Sequence, residues 1–224
     1  MGRALTEGCA YVALLFGMLT ASTGAHGDGW RPLFDGRSLT GWEQVGPGRF
    51  VVEDGVLRSE GGMGLLWYTA ETFGDVELHV AFKLGNPDAN SGVFVRIPER
   101  PESPWDAVHG GYEVQIDERG DDFHRTGVLY SLTEALARPA LQEWNSLRIT
   151  LAGDRTRVTV NGVLVTDFRE GDPVPPRRRD YEPERGPRPA SGYVGLQNHG
   201  ANDVVYFRDV RVRPLSPDDP AGER

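Results

Sequence analysis

The sequence of 224 residues has very little lysine, a single cysteine and no apolar run long enough to cross a bilayer. Lys83 is the only lysine, and all other basic residues are arginines. The 24 basic residues are outnumbered by 33 acidic ones, which gives a formal net charge of −9. A chain this acidic is a poor ligand for nucleic acid or for an anionic membrane surface, so the charge argues against both as partners.

The one cysteine, Cys9, lies in an N-terminal segment that is typical of a signal peptide. Arg3 precedes a short apolar run at 9–19, and small residues follow up to Ala25. We therefore expect residues 1–25 to be removed and the protein to be exported to the periplasm or the medium, with no membrane insertion afterwards. A buried N-terminal helix is the alternative. Without Cys9 the chain has no disulfide, thiolate metal site or cysteine nucleophile.

Helical periodicity is also scarce, and 29 glycines and 16 prolines supply many turn signals. One helical turn is predicted at 132–137. Period-two alternation predicts strands at 75–84, 90–97, 111–117, 145–151, 191–197 and 204–212, and a hairpin at 157–166 around Asn161-Gly162. The pattern predicts one all-β domain over 26–214, a two-sheet antiparallel sandwich. In the strand 90–97 it places Val93, Val95 and Ile97 on the core face and Arg96 beside Phe94 on the other face.

Residues 169–190 interrupt this pattern with six prolines and six arginines, so neither a strand nor a helix can continue through them. The segment is either a solvated loop or a rim beside the binding face. The tail at 215–224 is predicted to be disordered.

Glu113, Gln115 and Asp117 form the most notable polar group, because alternate residues of a strand share one face. Alternate side chains lie roughly 6.6 Å apart, which separates the two carboxylates by roughly 13 Å. Retaining and inverting glycosidases need carboxyl separations of about 5–5.5 Å and about 6.5–9.5 Å. The strand alone therefore does not support a two-carboxylate glycosidase, and a solvated sheet face is the alternative to a site.

Other candidates are less specific. Arg96 could hold a substrate oxygen or only neutralise carboxylates, Asn90 lies near it, and His199 follows Gln197 at a strand end. His199 and His124 could transfer protons or be structural. Trp67 and Trp105 could stack on sugar rings, although core packing is their default. No cofactor is firmly predicted; the turn with Asp117, Glu118, Asp121 and Asp122 could hold a divalent cation such as Ca²⁺, but a solvated acidic turn is favoured.

A series of short motifs resembles one exported bacterial family, the 3-keto-disaccharide hydrolase domain. The motifs are LFDG at 33–36, LTGW at 39–42, NSGVF at 90–94, GYEVQID at 111–117, TGVLY at 126–130, EWN at 143–145, NGV at 161–163, GLQNHG at 195–200 and FRDV at 207–210. They follow the family order over about residues 31–213. The resemblance implies a concanavalin-A-like jelly roll with one concave sheet and activity on glycosides whose glucose unit carries a ketone at C3.

Such a ketone acidifies the proton at C2, so one base can start an elimination that expels the oxygen at C1, and water then adds. We take Glu113, or else His199, as the base, with Arg96, Gln115 and Asn90 at the enolate oxygen. Asp117 would assist the leaving group or bind a cation, and Gln197 and His124 would contact substrate. A non-catalytic carbohydrate-binding module and a laminarinase-like glycosidase are the alternatives.

Overall fold

The computed structural model describes Met1 and residues 29–215, which form thirteen strands and one short helix. The strands are β1 Arg31–Pro32, β2 Trp42–Val45, β3 Arg49–Glu53, β4 Val56–Glu60, β5 Gly64–Tyr68, β6 Val76–Leu84, β7 Ser91–Ile97, β8 Tyr112–Ile116, β9 Asn145–Ala152, β10 Arg155–Val160, β11 Val163–Arg169, β12 Tyr193–Asn198 and β13 Val205–Pro214, and the helix is α1 Pro104–Gly110. The predicted signal peptide, with Cys9, and nearly all of the predicted tail lie outside the described residues. Within the described part of the chain, no helix has the length and apolarity needed to cross a membrane.

The strands form two antiparallel sheets that pack face to face. The larger sheet has eight strands in the order β11-β10-β9-β6-β13-β4-β3, with β1 added beside β13. The smaller sheet has five, in the order β2-β5-β12-β7-β8. The predicted two-sheet antiparallel sandwich is confirmed.

Alternating apolar side chains fill the space between the sheets. Val76, Leu78, Val80 and Phe82 of β6 all belong to this core, as their period-two spacing predicts. Each fully buried side chain of this size stabilises the fold by about 1.5–3 kcal/mol relative to the exposed state. The hairpin prediction is also confirmed, because Asn161 and Gly162 both have positive φ, 51° and 80°, and connect β10 to β11.

The predicted helical turn at 132–137 is wrong, because only the amides of Leu132 and Thr133 bond locally, to the Leu129 carbonyl, and the next amides bond to distant parts of the chain. Ala135 N donates to the Asp122 carbonyl and Leu136 N donates to the Val165 carbonyl. The helix is α1 instead. It begins with a proline at its first position, and the Asp106 carboxylate accepts hydrogen bonds from the backbone N–H groups of Ser103 (2.9 Å) and Glu102 (2.8 Å).

The predicted face of Ile97 is also wrong. A bulge at Arg96, where φ is +56°, shifts the register between β7 and β12. One extra residue reverses the side on which the following side chain lies. Ile97 therefore packs with Phe94 and Trp67 in a second apolar cluster on the outer side of the smaller sheet.

Candidate active site

The smaller sheet carries a cavity of about 290 Å³ on the face that points away from the main core. It is lined by Met63, Asn90, Trp105, Val108, Glu113, Gln115, Tyr130, Tyr181, Gln197 and His199. Five of these residues were predicted from the sequence: Asn90, Glu113, Gln115, Gln197 and His199. The sheet order β12-β7-β8 brings them together, because β7 lies between the two strands that carry the glutamines and Glu113.

A glycine in β7 makes room for the Glu113 side chain. Gly92 pairs with Gln115, and Phe94 pairs with Glu113. A Cβ atom on Gly92 would lie 2.6 Å from Glu113 Oε1 and 2.7 Å from its Cγ. The absence of that atom lets the carboxyl group lie across β7 toward the cavity.

Glu113 is a buried carboxyl group without a neighbouring cation. Its residue is 6% exposed, and burial raises its pKa from 4.5 to about 8. The nearby Gln197 side-chain amide acts in the opposite direction, and no cationic group within the described residues contributes. The carboxylate form is therefore the minor form at neutral pH and is more basic than an ordinary glutamate.

The two glutamines beside it offer acceptors that the protein leaves unused. Gln115 Nε2 donates to Asn90 Oδ1 at 3.2 Å, which fixes the orientation of that amide. Gln115 Oε1 and Gln197 Oε1 are both buried, and neither has a hydrogen-bond partner among the described residues. Because an unpartnered buried acceptor is costly, this pair is suited to binding ligand hydroxyl groups.

His199 lies at the more exposed side of the cavity and is oriented by an aspartate that sequence reasoning missed. Its Nδ1 and the Asp203 carboxylate are 2.7 Å apart, and the other carboxylate oxygen of Asp203 accepts the Asn90 N–H at 3.2 Å. This contact leaves His199 Nε2 as the ring nitrogen available to a ligand. The pair was recognisable, since an aspartate four residues after a histidine at a strand end can return to it across a turn.

Tyr130 is a second site residue that the sequence did not single out, although it closes the TGVLY motif. Its backbone N–H donates to the Glu113 carbonyl at 2.9 Å, so it lies directly beside Glu113. Burial, followed by the proximity of Glu113, raises the pKa of the Tyr130 hydroxyl to about 12. The hydroxyl therefore stays protonated and can donate a hydrogen bond into the cavity.

Two predicted residues lie behind the cavity wall. Asp117 follows β8 and accepts hydrogen bonds from Asn90 Nδ2 at 3.4 Å and from the Arg119 N–H at 2.8 Å. His124 bonds to Asp121 at 2.6 Å and packs edge-to-face on the Tyr130 ring, with centroids 5.2 Å apart. Both support residues that line the cavity without lining it themselves.

The expected placement of Arg96 in the site is corrected by the structure. The bulge directs its guanidinium away from the cavity, to the Gly153 carbonyl at 2.7 Å and the Pro189 carbonyl at 2.8 Å. The suggestion that Trp67 stacks on a sugar is likewise wrong, because Trp67 is buried in the second apolar cluster. Trp105 does line the cavity.

The acidic turn considered for calcium is occupied by internal contacts. Asp121 bonds to His124, and Asp122 pairs with Arg138 and Arg125. Over residues 29–215, no group of three or more His, Cys, Asp and Glu side chains is arranged to hold a metal ion.

Comparison with known proteins gives one family and several relatives. The family model described as the 3-keto-alpha-glucoside-1,2-lyase-like domain matches residues 29–213. A protein named 3-keto-disaccharide hydrolase, from Bacteroides thetaiotaomicron, is 24% identical over 232 aligned positions including gaps, and the alignment covers 84% of this chain and 79% of the relative. The hydrolase activity in this name is that of the relative, which is only 24% identical to this chain.

Comparison with solved structures supports the antiparallel two-sheet fold. One proposed glycosyl hydrolase from Parabacteroides distasonis is 26% identical, with a TM-score of 0.65 over 83% of this chain and 99% of that one. Another from the same species is 22% identical, with a TM-score of 0.66 over 84% and 94%. A carbohydrate-binding module from Bacillus subtilis is 17% identical, with a TM-score of 0.54 over 77% and 95%, and at this identity it shares the fold alone.

Proposed function

Because the chain belongs to the 3-keto-alpha-glucoside-1,2-lyase-like domain family, we propose that it cleaves the glycosidic bond of 3-keto-glucosides in the Glu113 cavity. The name of the Bacteroides thetaiotaomicron relative supports a 3-keto-disaccharide as substrate. The predicted signal peptide supports action outside the cytoplasm.

The reaction follows from the acidity of C2 beside the C3 ketone. A base removes the C2 proton, the electrons form an enolate, and collapse of the enolate creates a C1–C2 double bond as the C1–oxygen bond breaks. The leaving oxygen takes up a proton. Water then adds its hydroxyl group to C1 and a proton to C2, so that the net change is hydrolysis.

One observation carries this proposal: Glu113 is the single carboxyl group among the described residues that line the cavity. An ordinary glycosidase needs two carboxyl groups flanking the bond that it cleaves. Proton abstraction from C2 needs one base and donors for the enolate oxygen, which this cavity offers. The laminarinase-like alternative therefore loses its support.

Glu113 is the proposed base. A carboxylate that burial has made more basic is better matched to a carbon acid than an ordinary glutamate is. The Tyr130 hydroxyl, kept protonated by its raised pKa, would donate to the enolate oxygen, and Gln115 and Gln197 would bind sugar hydroxyls. His199, at the more exposed side, would supply the proton to the leaving oxygen, with Asp203 fixing its ring.

The first test compares substrates. Purified protein is expected to release 3-keto-glucose from 3-keto-trehalose and 3-keto-lactose, and to leave unmodified trehalose and lactose intact, because only the ketone acidifies C2. In D₂O the released 3-keto-glucose should carry one deuterium at C2. The control is 3-keto-glucose incubated in D₂O with inactive protein, which measures the exchange at C2 that occurs without catalysis. Cleavage that shows neither deuterium incorporation in D₂O nor a slower rate for substrate deuterated at C2 would contradict the elimination route.

The role of His199 is tested by comparing two substrates whose leaving groups differ in their need for a proton. His199→Ala is expected to lower kcat about 10²-fold on 3-keto-trehalose, whose alkoxide needs a proton, and only slightly on p-nitrophenyl 3-keto-glucoside, whose phenolate does not. Asp203→Asn should show the same selectivity at smaller amplitude. Equal losses on both substrates would remove His199 from this role.

A non-catalytic sugar-binding module remains the second candidate, and the exposed aromatic rings of Trp105 and Tyr181 at the cavity favour it. Such a module would bind unmodified disaccharides, as measured by titration calorimetry, without turnover of any 3-keto-glycoside. Turnover in the first test excludes this candidate.

A further inference from the structure

The cavity has two chemically different parts. Its interior is polar and buried, with Glu113, Gln115 and Gln197 at 6%, 2% and 3% exposure. Its outer part carries two large aromatic side chains, Trp105 at 44% exposure and Tyr181 at 50%. Large apolar side chains exposed together beside a polar pocket indicate a surface that contacts a ligand.

The two aromatic residues come from different segments that are joined to each other. Trp105 lies on α1 and stacks on His109 of the same helix, with ring centroids 5.8 Å apart and an interplanar angle of 28°. His109 Nε2 donates to the carbonyl of Asp180 at 3.0 Å, and Asp180 immediately precedes Tyr181. The position of Tyr181 is thus coupled through His109 to the helix that carries Trp105.

The segment 170–192, which connects β11 to β12, is anchored on the far side of Tyr181 by two arginines. Arg185 donates to the Ser131 carbonyl at 3.2 Å and pairs with the buried Glu182 carboxylate at 2.9 Å. Arg188 donates through Nε to the Gly111 carbonyl at 2.9 Å, and its guanidinium lies 4.9 Å from the centroid of the Tyr112 ring.

These anchors distinguish the two interpretations of the Pro/Arg-rich segment at 169–190, a solvated loop or a rim beside the binding face. Gly111 and Tyr112 directly precede Glu113, and Ser131 directly follows Tyr130. The segment is therefore attached to both parts of the chain that supply the reacting groups. It is the rim of the cavity rather than a freely solvated loop.

We propose that Trp105 and Tyr181 form the subsite for the leaving group, and that they select glycosides whose leaving group is a neutral ring, such as a second sugar. This inference rests on the proposed function and deepens it. The 3-keto-glucosyl unit occupies the polar interior beside Glu113. The leaving group then extends toward His199 and the aromatic pair, where the apolar C–H face of a sugar ring packs on an aromatic surface and its hydroxyls remain in water.

The test compares two substrates whose leaving groups are both alkoxides, 3-keto-trehalose and methyl 3-keto-α-glucoside. The wild-type protein is expected to prefer 3-keto-trehalose in kcat/KM by about tenfold or more. Trp105→Ala and Tyr181→Ala should each lower that ratio about fivefold to tenfold, mainly through a higher KM for the disaccharide. Both side chains are half-exposed, so neither change should disturb the core.

Tyr206→Ala is the matched control, since Tyr206 is a half-buried tyrosine of β13 in the other sheet. It should leave the substrate ratio as in the wild type. A wild-type ratio near one, or a ratio that neither aromatic variant alters, would overturn the subsite and leave the proposed function standing. If the wild-type protein cleaves neither 3-keto-trehalose nor methyl 3-keto-α-glucoside, the proposed function is overturned and the subsite with it.

Discussion

Glu113→Gln is expected to lower kcat on 3-keto-trehalose by about 10³-fold, because a neutral amide of the same shape cannot accept the C2 proton. Unlike His199→Ala, this variant should lose activity on p-nitrophenyl 3-keto-glucoside to the same extent, since proton abstraction precedes departure of any leaving group. The control is Glu53→Gln, the same substitution at an exposed glutamate of β3 in the larger sheet. Turnover by Glu113→Gln near the wild-type rate would eliminate Glu113 as the base.

The pH profile of the wild-type protein tests the same role without a substitution. A base acts in its ionised form, and the pKa of Glu113 is raised to about 8. On p-nitrophenyl 3-keto-glucoside, whose departure does not need the proton from His199, kcat/KM should follow the ionised fraction of Glu113, which rises about tenfold between pH 6 and pH 7 and levels off above pH 8. A kcat/KM on this substrate that falls as the pH rises through 8 would contradict Glu113 as the base.

Because Glu113 is buried, the Glu113→Gln substitution should also change the free energy of unfolding. A carboxyl group whose pKa is raised in the folded state binds its proton more tightly there than in the unfolded chain. The associated stability is present below about pH 4.5 and is lost as the pH rises toward 8. Glutamine does not titrate, so the variant should be more stable than the wild type by about 3 kcal/mol at pH 7, and the difference should vanish below pH 4.

Thermal unfolding measured across this pH range separates the two effects. A variant that is inactive yet unfolds at a higher temperature has lost a functional group, not its fold. A lower Tm for Glu113→Gln at pH 7 would show that the substituted amide disrupts packing and would invalidate the kinetic comparison.

The sequence was sufficient for the sandwich and for the polar part of the cavity because both depend on the local period of a strand. Val76 and Leu78 share the core face, and Glu113 and Gln115 share the opposite face of their strand, for the same geometric reason. The position of Gln197 in the cavity could also be predicted, because Gln197 lies near the end of its strand.

The errors have a different physical origin, since each depends on a contact distant in sequence. Arg96 leaves the site because one bulged residue reverses the face of β7, and no local pattern marks that bulge. Tyr181 reaches the cavity because His109 and Arg185 bind its segment from other elements. Such tertiary hydrogen bonds leave no periodic signal in a proline-rich stretch.

Gly92→Ala is expected to lower kcat about 10²-fold and to lower the Tm. Gly92 lies within β7 and its φ is not in the left-handed region, so alanine fits the backbone. Its new Cβ would lie 2.6–3.0 Å from Glu113 Oε1, Cγ and Cδ, and because Cγ lies close to the backbone of a buried residue, the whole Glu113 side chain must move, at some cost to folding. The proposed base would then leave the position from which it reaches C2.

A double-mutant cycle identifies the route by which Gly92 acts. If the glycine matters only by making room for the Glu113 carboxyl, the Gly92→Ala, Glu113→Gln double variant should be no slower than Glu113→Gln alone. Gly74→Ala is the matched control, because its Cβ would meet only the Ala190 carbonyl oxygen at 3.5 Å and the Ser191 Cβ at 4.0 Å, both ordinary contacts. A further loss of about 10²-fold in the double variant would mean that Gly92 serves the site independently of Glu113, for example by admitting the sugar ring directly onto β7.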